Sequence, residues 1–429
     1  MISILRLSLL VLVGVLILPV VASTDASNDS KLAPEEAHKN AQQLFHDYRN
    51  RLYQVRTIDK ASGSKAAIGS AFAVAANGVL ATNYHVVSKY ILKPEKYSIT
   101  VVDHADVVTE VTVIKLDVIN DLALLQLPAS TAKPVIRLAE HLPQQGESIF
   151  SLGNPRDLGM TVVPGTFNGI TAYSVYDRVL FSGSINPGMS GGPVLNESGE
   201  LIGVNVATSG NALSFLVPLN KLRKLINEPL DDDLRQQALS QLTRNQDLLM
   251  AKILASDWQT APLGQAQVLA EMSDFISCWG ESDTRPKEQF QQVFRRCRNS
   301  EYIYMAPDFY TGIYELEFYF YSTEKLSTWQ FYRMLNDSFA SVSAGNIASE
   351  DHVSEFNCRS DFVAEENSSK SKAVYCVREY RQYPGLYDVL FLAATISDSQ
   401  SSLVSHYTLS GISQENAQKF LAKFLEVVL

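Results

Sequence analysis

Between about residues 52 and 218, short apolar runs alternate with polar turns. Runs such as Ile68–Ala75 and Tyr97–Val102 are separated by turn pairs such as Asn77-Gly78. Many short strands at this spacing are typical of β-sandwiches and β-barrels. The pattern predicts an all-β region with strands at Ile68–Ala75, Val79–Asn83, Tyr97–Val102, Val107–Ile114, Leu122–Leu127, Ser148–Leu152, Val194–Asn196, Leu201–Ala207 and Leu213–Val217.

The pattern changes after a predicted closing helix at Asn220–Asn227. Pro229 and the acidic run 231–233 mark a boundary, and Leu234–Ser256 reads as one amphipathic helix. Beyond it, aromatic-rich strands mix with helical segments, which predicts a separate α+β domain over residues 231–429. The predicted elements are strands at Tyr302–Met305, Tyr314–Tyr321, Ala373–Arg378 and Tyr387–Ala394, and helices near Ser327–Ala340 and Gln414–Val427.

The first 22 residues have the pattern of a secretory signal peptide. Arg6 precedes an apolar stretch that ends in the small-residue site Val20-Val21-Ala22. An uncleaved anchor is the alternative, although the uncharged run is shorter than the roughly 20 apolar residues of a spanning helix. We therefore predict a signal peptide at 1–22, an N-terminal tail and helix at 23–50 and a β-rich domain at 51–228, with no stable membrane insertion after cleavage.

All four cysteines lie in the C-terminal half, and their even number suits an exported protein with two disulfides. Three pairings are possible. We favour Cys278–Cys297 and Cys358–Cys376, because each closes a loop of about 20 residues and contributes on the order of 3 kcal/mol. A four-thiolate zinc site is the competitor, but no CxxC spacing supports it. No metal site is predicted, and His104 beside Asp103 and Asp106 fits a solvated loop.

Composition narrows the range of partners. The net charge of −10 argues against non-specific binding to nucleic acid or to anionic membranes. With 46% hydrophobic residues, the chain can bury sizeable cores, which excludes disorder as its main state.

Three residues supply the parts of a nucleophilic mechanism in chain order. His85 follows a predicted strand, Asp121 directly precedes another, and Ser190 lies in a glycine-rich turn that can expose its hydroxyl. Each feature alone is typical of ordinary structure: a structural histidine, an acid at a strand end, a simple turn. Together they provide a base, an orienting carboxylate and a nucleophile.

Five motifs around these residues occur in a fixed order. They are GSAF at 69–72, TNYHVV at 82–87, NDLALL at 120–125, GNP at 153–155 and INPGMSGGP at 185–193. Over about residues 67–220 the chain resembles the trypsin-like serine proteases of the HtrA/Deg type. The resemblance implies a chymotrypsin-like pair of perpendicular six-stranded β-barrels, with the active site between them. We recognise no family for 231–429, and we see no PDZ-type carboxylate-binding loop there.

The resemblance also implies residue roles. Ser190 would be the nucleophile, His85 the general base and acid, and Asp121 the residue that fixes the imidazole. The backbone N–H groups of Gly188 and Ser190 match the oxyanion hole, and the mechanism requires no cofactor. Two departures are Met189, where the HtrA type generally has Asn, and Ala71, where a glycine is usual. Met189 leaves the local hydrogen bonding of the oxyanion loop in doubt.

Four residues correspond to a specificity pocket. Ser184 stands where enzymes that cleave after Lys or Arg carry an Asp, so tryptic cleavage is not expected. Asn205 stands where glutamyl-specific relatives carry a His. With Phe215 and Leu216 on an apolar strand, this predicts cleavage after small or medium aliphatic residues.

The functional hypothesis is an exported serine endopeptidase, periplasmic or alternatively secreted, that acts on unfolded or exported proteins. The rival is a catalytically silent or chaperone-like binding protein that uses the protease fold as a scaffold. The N-terminal helix suggests a homotrimer, as in the family. In the C-terminal half, a set of alternating aromatics is typical of a core, with a peptide- or glycan-binding platform as the alternative. Its members are Tyr302, Tyr304, Phe309, Tyr310, Tyr314, Phe318 and Phe320.

Overall fold

The structure is a computed structural model that describes residues 34–128, 134–172, 174–210, 213–230, 233–283, 288–363, 370–397 and 400–428. The predicted signal peptide and the following tail, through residue 33, lie outside the described residues. Among the described helices, none is both long enough and apolar enough to cross a membrane.

The first half of the chain is built from two β-sheets. Strands β1 to β7 form a seven-stranded sheet in the order β5-β4-β1-β2-β3-β7-β6, and β8 to β13 form a closed six-stranded barrel in the order β10-β13-β12-β11-β8-β9. Their bounds are β1 Leu52–Asp59, β2 Lys65–Ala75, β3 Val79–Thr82, β4 Tyr97–Val102, β5 Val108–Glu110, β6 Thr112–Asp117, β7 Leu122–Gln126, β8 Ser148–Gly153, β9 Thr161–Ile170, β10 Val179–Phe181, β11 Pro193–Asn196, β12 Leu201–Gly210 and β13 Leu213–Pro218.

The expectation of two six-stranded barrels agrees with both sheets. The second sheet is a closed barrel. In the first sheet, β5 and β6 are one continuous stretch of chain, separated only by Val111, whose N–H donates to Ile99 O of β4 at 3.1 Å. Because β5 pairs with β4 and β6 pairs with β7, this stretch joins the two ends of the sheet.

Three helices accompany these sheets: α1 at Pro34–Tyr48, α2 at Tyr84–Leu92 and α3 at Leu219–Asn227, with short 3₁₀ turns at Arg49–Arg51 and Pro155–Asp157. Leu44 of α1 is buried in the core of the closed barrel, so the apolar stripe of this helix packs within its own chain. The trimer that this helix suggested stays a prediction.

The second half is an α+β domain, so the predicted fold class, mainly β followed by α+β, is confirmed. Its seven-stranded antiparallel sheet has the order β16-β17-β20-β24-β23-β22-β21, with separate hairpins β14-β15 and β18-β19. The bounds are α4 Leu234–Ala255, β14 Gln259–Leu263, β15 Ala266–Glu271, β16 Ile276–Asp283, β17 Gln291–Asn299, β18 Ile303–Ala306, β19 Phe309–Thr311, β20 Tyr314–Ser322, α5 Thr328–Ala340, β21 Asn357–Val363, β22 Ser371–Glu379, β23 Tyr387–Thr395, β24 Ser401–Ile412 and α6 Gln414–Val428.

Helices cover both faces of this sheet. Met250 of α4 and Phe420 of α6 pack on one face, while Phe331 and Leu335 of α5 pack on the other. Disulfides join Cys278 to Cys297 and Cys358 to Cys376, which is the favoured pairing.

The two halves share one hydrophobic core. Tyr84 and Val86 of α2 belong to the same buried cluster as Ile303, Met305 and Phe309 of the second half. The predicted domain boundary falls between the end of α3 and the start of α4, yet burial is continuous across the two halves. The second domain therefore lies against the helix that carries His85.

Candidate active site

His85 lies in the first turn of α2, a helix that the sequence pattern did not predict, shortly after the end of strand β3. Strand β3 ends at Thr82, and Asn83 is the N-cap residue, with its side-chain amide donating to Asp121 O at 2.7 Å. The helix places the imidazole at the edge of the first sheet, with about a quarter (27%) of the side chain exposed.

Asp121 holds His85 through two hydrogen bonds. One carboxylate oxygen accepts from the His85 backbone N–H at 2.8 Å, and the other lies 2.6 Å from Nδ1. The Asp121 backbone has φ +61°, a conformation that Asp tolerates better than most residues. Because the carboxylate partners Nδ1, that nitrogen carries the proton, and Nε2 is left as the basic atom.

Two opposing effects act on the titration of His85. Burial lowers the pKa of the imidazole, but the negative charge and the hydrogen bond of Asp121 together outweigh it. The net pKa of His85 is raised above its ordinary value. Imidazolium, the form that appears after His85 takes a proton, is therefore stabilised in place.

Ser190 lies on a turn that requires glycine at the next position, Gly191. Gly191 has φ +82°, and a Cβ there would lie 2.3 Å from Ser70 O. The Ser190 carbonyl accepts from the Ser70 N–H at 2.8 Å, which ties the turn that carries Ser190 to strand β2 of the other sheet. No hydrogen bond links Ser190 Oγ to His85 among the contacts of the described residues.

The backbone N–H groups of Gly188 and Ser190 are available to a bound oxygen. Pro187 O accepts from the Arg156 N–H at 2.7 Å, and because C=O and N–H of a trans peptide point in opposite directions, the Gly188 N–H points away from Arg156. A Cβ on Gly188 would lie 2.4 Å from Asn154 O, so this position requires glycine. Neither N–H donates to a protein acceptor within the described residues.

The Met189 departure has a structural explanation. Its side chain is fully buried in the core of the closed barrel, and its N–H donates to Asn186 O at 3.0 Å. The apolar side chain therefore anchors the loop by packing, and the backbone turn keeps its hydrogen bond. Ser70 adds a second anchor that sequence reasoning did not single out: its Oγ donates to Gly188 O at 2.8 Å. The only sequence signal for Ser70 was its place in the first motif.

The structure separates the four predicted pocket residues. Ser184 is exposed and Phe215 is half-buried, so both remain candidates for contact with substrate. Asn205 and Leu216 are fully buried, which contradicts a lining role. Asn205 accepts from Ser151 Oγ at 2.9 Å, and its amide donates to Leu152 O at 3.2 Å and to Met189 O at 3.3 Å, so it supports the nucleophile loop from below.

Leu216 is buried because side chains alternate across strand β13. Phe215 and Leu216 are neighbours and point to opposite faces of the barrel wall. Leu216 belongs to the barrel core, while Phe215 remains partly exposed. The resemblance to the family identifies β13 as a strand beside the site. It does not show which face of the strand each side chain lies on.

The second domain reaches the site. Tyr304 of β18 packs edge-to-face on the imidazole of His85, with ring centroids 5.9 Å apart. Its phenol is hydrogen-bonded to Ser88, and burial, as the main cause, raises its pKa to about 12. Within the described residues, no group of three or more His, Cys, Asp or Glu side chains is arranged to hold a metal ion.

Comparison with known proteins agrees with this geometry. Residues 69–204 match a family model described as a trypsin-like peptidase domain. The chain is 34% identical over 176 residues to serine protease HTRA1 of Xenopus tropicalis, covering 38% of this chain and 36% of that protein. It is 35% identical over 162 residues to the putative serine protease HhoB of Synechocystis, covering 35% and 37%. The chain thus spans well under half the length of these two relatives.

Among solved structures, Deg5 is 26% identical, with a TM-score of 0.39 over 44% of this chain and 93% of that chain. The serine endoprotease from Yersinia pestis is 25% identical, with a TM-score of 0.38 over 43% and 65%. Residues 69–204 thus match the trypsin-like peptidase domain, and the sequence relatives over this region include serine proteases of the HtrA type.

Proposed function

We propose that this chain is a serine endopeptidase that works through a His85–Asp121–Ser190 triad. The observation that carries the proposal is the pair of hydrogen bonds from His85 to Asp121, beside a serine turn whose Gly188 and Ser190 N–H groups donate to no protein acceptor within the described residues. This combination supplies a base, its orienting partner, a nucleophile and an oxyanion site.

The proposed reaction proceeds in two balanced halves. Ser190 Oγ attacks the carbonyl carbon of the scissile bond while its proton passes to His85 Nε2. The negative oxygen that forms is held by the N–H groups of Gly188 and Ser190. The tetrahedral intermediate collapses, His85 gives the proton to the leaving amine, and an acyl ester remains on Ser190. Water then repeats the same steps and releases the carboxylate product, with the serine restored.

The substrates we propose are unfolded or exported proteins, cut after small or medium aliphatic residues. The exposed Ser184 and the apolar Phe215 support the aliphatic preference, since no acid stands there to balance a substrate cation. The two disulfides support a location outside the cytoplasm, and we propose the periplasm, with secretion as the alternative. Assembly as a homotrimer through the N-terminal segment is part of the same proposal and is tested by sedimentation.

One observation favours the rival function, a silent or chaperone-like scaffold: Ser190 Oγ makes no hydrogen bond to His85 in the described contacts. Catalytic hydrogen bonds are often long in ligand-free enzymes and tighten on substrate, so this geometry does not exclude catalysis.

The deciding experiment is labelling of the full mature chain with a fluorophosphonate probe, beside Ser190→Ala and the control Ser198→Ala, at an exposed serine on the turn between β11 and β12. We expect labelling of the unsubstituted protein and of Ser198→Ala, and none of Ser190→Ala. Folded protein that does not label in any form, and does not cleave casein, would replace the peptidase with the scaffold.

A further inference from the structure

A hairpin of the second domain forms one wall beside the catalytic histidine. Strand β18 and strand β19 pair with Tyr304 directly opposite Tyr310. The rings make a continuous series of edge-to-face contacts: His85 to Tyr304 at 5.9 Å, Tyr304 to Tyr310 at 5.6 Å and Tyr310 to Tyr302 at 4.8 Å between centroids. We call Tyr302, Tyr304 and Tyr310 the tyrosine platform.

The two faces of the hairpin have different environments. Ile303 and Met305 are buried in the core shared by the two halves, whereas Tyr302 and Tyr304 alternate with them along the chain. Tyr304 is partly buried against that core, and Tyr302 is not part of it. Tyr302 is 53% exposed, and Tyr304 and Tyr310 are partly exposed. A half-exposed tyrosine next to two others leaves apolar ring surface open to a ligand.

The hairpin is fixed to both parts of the protease half. The hydroxyl of buried Tyr84, next to His85, donates to Met305 O at 3.1 Å. At the start of the hairpin, the Glu301 carboxylate accepts from Ser174 Oγ and from the Val175 N–H at 3.2 Å. The tyrosine rings therefore have a defined position relative to the reacting groups, which is the condition for a subsite.

Distance and chemistry identify what such a subsite would accept. A residue of an extended peptide spans about 3.3 Å, so a peptide bond poised at His85 brings a side chain within one or two residues of Tyr304. The rings offer edges and faces to an apolar or aromatic side chain. Asp308, at the hairpin turn, lies close enough to act electrostatically on Tyr304 and Tyr310, which disfavours an acidic side chain.

We propose that the tyrosine platform is a substrate subsite, contributed by the second domain, that takes a large apolar or aromatic side chain within two residues of the scissile bond. This assignment rests on the proposed peptidase function. It gives residues 231–429 a direct part in choosing substrates.

The test compares Tyr302→Ala and Tyr302→Phe in the full mature chain. Trp329→Ala is the matched control, because Trp329 is an exposed aromatic (68%) of the same domain on α5. Peptides that share one cleavage site are varied one position at a time among Gly, Leu, Phe and Glu. The measured quantity is the ratio of kcat/KM for the Phe peptide to that for the Gly peptide at each position.

We expect one position within two residues of the bond to show a Phe-over-Gly preference in the unsubstituted protein. Tyr302→Ala should reduce that ratio about fivefold, the contribution of one aromatic pair, and Tyr302→Phe and Trp329→Ala should preserve it. An unchanged ratio in Tyr302→Ala, or an equal loss in Trp329→Ala, overturns the subsite while leaving the peptidase intact.

Failure of the peptidase itself is recognised separately, by absence of fluorophosphonate labelling in the unsubstituted protein. In that case the platform is tested by binding of fluorescein-labelled Phe and Gly peptides to the Ser190→Ala protein. Weaker binding of the Phe peptide after the further change Tyr302→Ala supports the platform, and equal binding overturns it.

Discussion

The two halves of the molecule protect the ends of their sheets in different ways. In the protease half, β10 pairs with β9 and closes the barrel, which leaves no edge strand. In the second domain the sheet is open, and β16 and β21 stand at its two ends. Each end strand is joined to its neighbour by a disulfide, Cys278 to Cys297 and Cys358 to Cys376, between residues directly opposite in register. Pairing through hydrogen bonds closes one sheet, and covalent bonds secure the ends of the other.

The halves also differ in how they use buried charge. In the protease half, the His85–Asp121 pair is partly exposed. In the second domain, Asp388 is fully buried and accepts from Arg378 Nε at 2.7 Å and from Asn346 Nδ2 at 2.9 Å. Substitution of each carboxylate should therefore affect a different property: catalysis in the first case and stability in the second.

The largest expected effect is that of Asp121→Asn. Loss of the carboxylate removes the partner that fixes the imidazole tautomer, and in a triad this change lowers kcat by about 10⁴-fold. Peptide hydrolysis measures it. Asp106→Asn is the matched control, because Asp106 has almost the same backbone angle, φ +60°, and is exposed. Similar rates in Asp121→Asn and Asp106→Asn would contradict the triad.

The next effect is on stability. Asp388→Asn removes the negative partner of a buried ion pair and leaves the Arg378 guanidinium without a counter-charge. This should lower the free energy of unfolding by about 3–5 kcal/mol. Urea unfolding followed by circular dichroism measures the change. Glu415→Gln is the control, because its i,i+4 pair with Lys419 is exposed to solvent and its loss should leave the free energy of unfolding almost unchanged. Equal losses of unfolding free energy in Asp388→Asn and Glu415→Gln would show that the buried Asp388 pair does not stabilise the second domain, and the contrast with the His85–Asp121 pair would no longer hold.

Removal of one disulfide tests the difference in edge protection. The double variant Cys358→Ser, Cys376→Ser should destabilise the second domain by about 3 kcal/mol, because the cross-link closes a loop with a sequence separation of 18. The protease half contains no cysteine, so Ser190 labelling at 25 °C should be unchanged. Loss of labelling in the folded double variant would show that the two halves depend on each other more closely than their separate sheets suggest.

The smallest effect is a displacement of the pH profile. A base works only when unprotonated, and the raised pKa of His85 places the acid limb of kcat/KM above the usual histidine value of about 6.5. Asp121→Asn removes the attraction that raises the pKa, so the limb of the residual activity should move to lower pH. His46→Gln, at an exposed histidine of α1, should leave the limb in place.

The same pKa shift affects stability with a definite sign. Because the folded-state pKa of His85 lies above the unfolded value, its pair with Asp121 stabilises the fold fully below the unfolded pKa. That contribution is lost as the pH rises through the folded pKa.

The activity profile gives the contradicting outcome for both statements. An acid limb of kcat/KM that moves to higher pH in Asp121→Asn would contradict the assignment of the raised pKa to the His85–Asp121 pair.

Sequence reasoning was most successful where chemistry and geometry are local. The triad candidates lie in short motifs, and His85 and Asp121 are brought into contact because β3 and β7 are adjacent in the sheet. It missed the helix α2, a nine-residue segment in which six residues are buried and few polar positions remain to show a helical period. It also misplaced Asn205, because the motif spacing identified the strand but not the neighbours that occupy its amide.

The aromatic residues of the second domain show a further limit. Phe309, Tyr314 and Phe318 are almost wholly buried, as the core interpretation predicted, yet Tyr302, Tyr304 and Tyr310 form a series of ring contacts that begins at His85. Alternation along a strand predicts two faces, but it does not show what each face meets. That depends on the docking of two domains, which is a long-range property.

The order of strands in the second sheet has a consequence for synthesis. Its central strand β24 is the last of the described strands in the chain, and it lies between β20 and β23. The sheet is therefore incomplete until residue 412 has emerged, whereas β13 ends the protease half at Pro218. At the usual pace of translation this separates the two events by roughly 10 to 40 s. A nascent chain thus holds His85, Asp121 and Ser190 well before the finished sheet can secure the hairpin beside them.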